Sequence, residues 1–118
     1  MDGADLKLRT KKFALRCMKL ADSLPNSHSG RTIASQLVRS GTSVGANYRA
    51  ACRGRSKAEF LSKLGIVEEE ADESAFWMEL IVESGMKKLR VVEPLRDEAD
   101  QLTRIVIASI KTVRAGKS

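Results

Sequence analysis

The chain has 118 residues, 21 Lys and Arg against 15 Asp and Glu, and two cysteines, and its formal net charge is +6. A chain of this length can bury a core as a single domain over residues 1–118 without disulfides or a structural metal. The absence of a long apolar run and of a signal-peptide pattern argues against a membrane protein and predicts a cytoplasmic location.

Apolar residues recur at helical spacing along the whole chain, and four helices are predicted. The first covers about residues 4–23, because Pro25 cannot continue a helix. The turn-rich segment Asn26–Gly30 follows it as a loop. The second helix covers about residues 31–53 and ends near Gly54, a residue that often terminates helices.

The third predicted helix covers about residues 57–84. Ser56 and Glu59 have the spacing of a capping box at its start. Gly85 is a terminus or a kink. The pattern does not decide whether residues 86–92 extend the third helix or form a loop.

The fourth predicted helix covers about residues 94–114, with Pro94 in its first turn, where a missing N–H is tolerated. No segment shows the alternation of a half-buried strand. Four helices with short connections predict an all-α fold, an antiparallel up-down-up-down four-helix bundle.

The second helix carries two stripes at helical spacing. The apolar stripe contains Ala34, Leu37, Gly41, Val44, Tyr48 and Ala51. The polar row contains Gln36, Ser40, Ser43 and Asn47. Small residues allow close helix approach, and buried amides and hydroxyls need hydrogen-bond partners, so we expect an interhelical polar seam here. Arg39 lies further round the helix, where it can serve either this seam or an oligomer contact.

Glu70, Glu73 and Trp77 share one face of the third helix and are the expected partners of this seam. Carboxylates facing a bundle interior can also hold a di-metal centre, but that pattern needs histidines that this chain lacks. Its one histidine, His28, lies in the predicted loop, which also disfavours a catalytic triad. We therefore predict no catalytic residues, no metal, no cofactor and no small-molecule substrate.

The positive charge is concentrated in the first half of the chain. Residues 1–57 hold 12 Lys and Arg and 3 Asp and Glu, whereas residues 58–118 hold 9 and 12. Two clusters are candidate phosphate contacts for RNA or DNA. The clusters are Lys7, Arg9, Lys11, Lys12, Arg16 and Lys19 on the first helix, and Arg49, Arg53, Arg55 and Lys57 around the turn after the second. The members predicted to contact phosphate are Lys7, Lys11, Lys12, Arg49, Arg53, Arg55 and Lys57. The alternatives are a solvated basic face, or basic helices that pack against acidic ones within the fold or in a neighbouring subunit.

Three segments together resemble a known family. They are Gln36-Leu-Val-Arg-Ser-Gly-Thr-Ser-Val-Gly-Ala-Asn-Tyr48, Phe60-Leu-x-Lys-Leu64 and Glu70-Ala-x-Glu-Ser-x-x-Trp77-x-x-Leu80. This combination is similar to the four-helix-bundle proteins encoded in rRNA intervening sequences. Many of those sequences resemble Asn-Tyr-x-Glu-Ala where this chain has Asn47-Tyr-Arg-Ala-Ala51, so a carboxylate is missing near residue 50.

The resemblance implies the up-down-up-down bundle and a homo-oligomer, a five-membered ring. A related branch resembles the accessory protein of diversity-generating retroelements, which implies a reverse transcriptase and nucleic acid as partners. We therefore expect a non-enzymatic homo-oligomeric protein that acts as a nucleic-acid or ribonucleoprotein accessory module. The alternative is a protein–protein scaffold that binds no nucleic acid.

Overall fold

Four helices form the fold in a computed structural model that describes residues 3–116. They are α1 (Gly3–Asp22), α2 (His28–Cys52), α3 (Lys57–Glu83) and α4 (Leu89–Arg114). Among the described residues each helix packs against its neighbours in the chain, α1 also meets α4, and the backbones of the diagonal pairs lie further apart. The predicted antiparallel up-down-up-down four-helix bundle is confirmed.

The core lies along the predicted apolar stripes. In α2 the stripe from Leu37 to Ala51 is buried at each of its predicted positions, and only Ala34 is half-buried. Thr10 of α1 is also buried, although it is polar. Its hydroxyl donates to the Leu6 carbonyl at 2.9 Å, so the hydrogen-bonding group is satisfied within its own helix.

Helix α2 begins three residues earlier than the predicted position 31. Ser27 is the N-cap, and its Oγ accepts a hydrogen bond from the Gly30 N–H at 3.0 Å. Residues 28–30, which were predicted as loop, therefore form the first helical turn. A Cβ at Gly30 would lie 2.1 Å from the Pro25 carbonyl oxygen, so only glycine fits against this turn.

Helix α3 begins with the predicted Ser56 cap, whose Oγ accepts from the Glu59 N–H at 3.1 Å. The Glu59 carboxylate accepts the Arg55 N–H at 2.8 Å, one residue before the cap. The helix ends at Glu83, with Ser84 as its C-cap, and Gly85 follows with φ +83°. Because the next N–H, of Met86, donates back to the Ile81 carbonyl, Gly85 is a Schellman-type terminus and not a kink.

Helix α4 begins at Leu89, five residues before the predicted start at position 94. Residues 84–88 form the turn after α3. Segment 86–92, for which the sequence pattern did not decide between helix and loop, is therefore divided between turn and helix. Val92 is fully buried and continues the apolar stripe of α4, so its packing favours the earlier start. Pro94 is exposed inside the helix and has no N–H to donate to the carbonyl of Arg90, four residues earlier. Arg90 is also exposed, so water can reach this part of the helix.

Candidate nucleic-acid interface

A groove of about 570 Å³ lies between α1 and α2 on the outside of the bundle. Four predicted phosphate contacts line it, namely Lys7, Lys11, Arg49 and Arg53. The other lining residues are small or uncharged, namely Ala4, Leu8, Ala14, Thr42, Gly45 and Ala46. We call this site, with its four cations, the basic groove.

The basic groove depends on the close approach of α1 and α2. A Cβ at Gly41 would lie 2.6 Å from both Cβ and Sγ of Cys17, and a Cβ at Gly45 would lie 3.3 Å from the Thr10 carbonyl oxygen. The two backbones therefore nearly touch beneath the groove. Ala46, next to Gly45, has too small a side chain to fill the space outside this contact, so the cleft stays open between the longer basic side chains.

The charged residues that line the basic groove in the described part of the chain are all positive. Among residues 3–116 no acidic residue lines it, and its four cations make no ion pair with any of those residues. All four are exposed. By contrast, the guanidinium of Arg9 binds Glu98 at 2.7 and 2.8 Å, and this contact raises the pKa of Arg9. The groove cations thus keep their charge available for an anionic ligand.

The other predicted phosphate contacts lie outside the basic groove. Lys12 is exposed on α1 but does not line the cleft. Arg55 lies in the connection between α2 and α3, and Lys57 is the first residue of α3. The structure therefore brings together four of the seven residues that the sequence indicated and separates the other three from them.

The polar seam between α2 and α3 is organised by Arg39. Its guanidinium donates to Glu70 at 3.0 and 3.3 Å and also to Glu73. The Gln36 amide oxygen accepts from Arg39 Nε at 2.9 Å, and Trp77 Nε1 donates to Glu73 at 3.0 Å. Glu70 is the most buried ionic group here, with 14% of its side chain exposed, whereas 46% of Arg39 is exposed.

The rest of the predicted polar row does not reach those carboxylates. Ser40 accepts a hydrogen bond at 2.8 Å from Ser74, a fully buried partner that sequence reasoning missed. Asn47 donates to Ser43 within α2, at 2.8 Å to the hydroxyl and 3.0 Å to the carbonyl. Ser74 lies four residues after Glu70 and therefore on the same face of α3. This spacing could have indicated that Ser74 belongs to the polar seam.

Within residues 3–116 no three His, Cys, Asp or Glu side chains come close enough together to hold a metal ion. His28 is exposed in the first turn of α2, away from the polar seam. No helix in the described part of the chain is long and apolar enough to cross a membrane. The arrangement is suited to binding an anion by charge.

Comparison with known proteins identifies the family. No curated protein matches the chain. A crystal structure from Bacteroides thetaiotaomicron, of a protein of unknown function from the S23 ribosomal protein family, is similar over 95% of this chain and 100% of that one, with 32% identity and a TM-score of 0.88. The family model of the 23S rRNA-intervening sequence proteins matches residues 5–108. This chain therefore belongs to the 23S rRNA-intervening sequence protein family.

Proposed function

We propose that this protein is a non-enzymatic, homo-oligomeric accessory module that binds nucleic acid in the cytoplasm through its basic groove. The observation that carries the proposal is the convergence of Lys7, Lys11, Arg49 and Arg53 on one cleft that no acidic residue of the described part of the chain lines. Lys and Arg side chains bind phosphates and release condensed counterions, which is the main source of sequence-independent affinity for nucleic acid.

The groove favours phosphate contacts over base recognition. None of the described residues that line it is aromatic, and they therefore offer no platform for base stacking. Four phosphate contacts would give a slope of about −3.6 for log affinity against log salt concentration on a duplex. Affinity would then fall about 150-fold between 50 and 200 mM salt.

A fluorescence-anisotropy titration with duplex RNA and duplex DNA at both salt concentrations tests this proposal. The double variant Lys7→Gln/Lys11→Gln should weaken binding and reduce the slope by about 2. The matched control is Lys63→Gln/Lys111→Gln, which removes the same charge outside the groove and should leave the slope nearly unchanged. The proposal fails if the wild-type protein does not bind at about 50 mM salt, or if both variants behave alike.

Self-association is proposed from the exposed apolar side chains. Phe76 on α3 and Leu89 at the start of α4 are 50% and 56% exposed, and neither lines the basic groove. Such side chains usually mark protein contacts when they are part of a larger patch. A ring of five copies, as the family resemblance implies, predicts five times the chain mass of 13.0 kDa in light scattering, and a monomer would contradict it.

The scaffold alternative rests on a different observation, the acidic outer face of α3. Exposed residues repeat there at alternating spacings of three and four residues. They are Glu69, Asp72, Phe76, Glu79 and Glu83. This face complements the basic groove in charge, so a second copy could occupy the groove in place of nucleic acid. Salt-sensitive self-association that is lost in Phe76→Ser, together with no binding of nucleic acid, would favour the scaffold.

A further inference from the structure

A second cation-lined cleft lies at the other end of α1, where α1 meets the start of α4. Its volume is about 450 Å³. The cations are Arg16 and Lys19 from α1 and Lys87 from the turn before α4. The remaining lining residues are Leu20, Ser23, Val91 and Leu95. We call this site the α1–α4 cleft. None of its three cations was among the predicted phosphate contacts.

The α1–α4 cleft resembles the basic groove in its electrostatics. No acidic residue lines it, and its cations form no ion pair among the described residues. The first turn of α4 contains no acid, and its cap residue Lys88 makes no side-chain hydrogen bond to the helix. The positive end of that helix dipole is therefore not neutralised by its own side chains and adds to the field of the lysines.

Helix α1 connects the two clefts. Lys7 and Lys11 line the basic groove, while Arg16 and Lys19 line the α1–α4 cleft, so the same helix presents cations to both neighbours. Lys12 is exposed on α1 between them in sequence. The twelve steps from Lys7 to Lys19 span about 18 Å along the helix axis. A duplex carries one phosphate per 3.4 Å on each strand, so a strand segment of that length offers about five phosphates.

We propose that the α1–α4 cleft is a second phosphate-binding site for the nucleic acid that occupies the basic groove, so that one nucleic acid lies across the exposed face of α1. This inference rests on the proposed function and extends it from a single groove to a path of seven cations over two clefts. Contacts to all seven would steepen the salt slope on a duplex from about −3.6 to about −6.

The test uses the full chain and a 16-base-pair DNA duplex, titrated by anisotropy at several salt concentrations. Lys19→Gln/Lys87→Gln should reduce the slope by about 2, as Lys7→Gln/Lys11→Gln does, and should lower affinity at 50 mM salt about tenfold or more. Lys63→Gln/Lys111→Gln again controls for net charge. Thermal unfolding of each variant shows whether it is folded, and Lys19→Arg/Lys87→Arg should retain binding because it keeps both charges.

The outcomes separate the two proposals. If wild-type protein binds and only the Lys7/Lys11 variant loses slope, the second site is wrong while the proposed function stands. If neither cleft variant differs from the control, both proposals fail. Titration with inorganic phosphate distinguishes the source of the anion. If millimolar phosphate displaces the duplex from the wild type but not from the Lys19/Lys87 variant, the α1–α4 cleft is a site for the free ion. That result would overturn the shared path.

Discussion

The contact between Gly41 and Cys17 makes the sharpest stability prediction. Replacing Gly41 by alanine places a methyl group 2.6 Å from both Cβ and Sγ of a fully buried side chain. Carbon atoms in contact normally lie about 3.5–4.0 Å apart, so the shortfall is about 1 Å. Since one of the opposing atoms is the Cys17 Cβ, rotation of that side chain cannot relieve the clash, and α1 must move away from α2.

Two effects of opposite sign decide the magnitude. Overpacking a well-packed core typically costs about 1–3 kcal/mol. Replacing glycine by alanine inside a helix contributes up to about 1 kcal/mol of stability through backbone entropy and helix propensity. We therefore expect Gly41→Ala to lower the free energy of unfolding by about 1–2 kcal/mol. That corresponds to a fall in Tm of about 4–8 °C for a domain of this size.

Gly65 provides a control for the propensity effect. It lies in α3, and an added Cβ there would meet no atom within 4 Å. Gly65→Ala should therefore stabilise the protein by up to about 1 kcal/mol. Urea unfolding followed by circular dichroism measures both variants, and the difference between them isolates the steric cost. An increase in stability in Gly41→Ala like that in Gly65→Ala would refute the close approach of α1 and α2.

Further predictions concern the thiols, the polar seam and the start of α2. Burial raises the pKa of Cys17 to about 12, so iodoacetamide should label only the exposed Cys52 in folded protein and both thiols in denaturant, as intact-mass spectrometry would reveal. Arg39→Ala and Glu70→Ala should each cost about 1 kcal/mol, with the double variant costing less than their sum in urea unfolding. Gly30→Ala should cost about 3 kcal/mol by thermal unfolding, because the Pro25 carbonyl cannot give way without moving the loop.

The apolar stripes could be predicted because each depends on one helix alone. The stripe from Leu37 to Ala51 follows from spacing, and packing against α1 and α3 left it unchanged. The starts of α2 and α4 were harder to predict because local turn signals competed with burial. Pro94 indicated a first turn, whereas the fully buried Val92 favoured an earlier start, and the core contact outweighed the cost of an internal proline.

The basic groove could be predicted only in part, for a geometric reason. Its cations lie on two helices, and their convergence depends on the rotation of each helix about its axis. Spacing placed Lys7 and Lys11 on one helix and Arg49 and Arg53 on another, but did not exclude Lys12 from the cleft. The α1–α4 cleft was missed because Lys87 lies in the turn, far in sequence from the cations of α1.

The polar seam explains why the segment that identifies the family says little about its activity. Arg39 satisfies Glu70, and Glu73 also accepts the Trp77 N–H, so these charged groups are partnered within the bundle. A partly exposed ion pair contributes little stability, but its geometry selects one register of α2 against α3. Charges used in this way are not available to a ligand. The unpaired cations of the basic groove are available, and they lie on α1 and α2, whereas the polar seam joins α2 to α3.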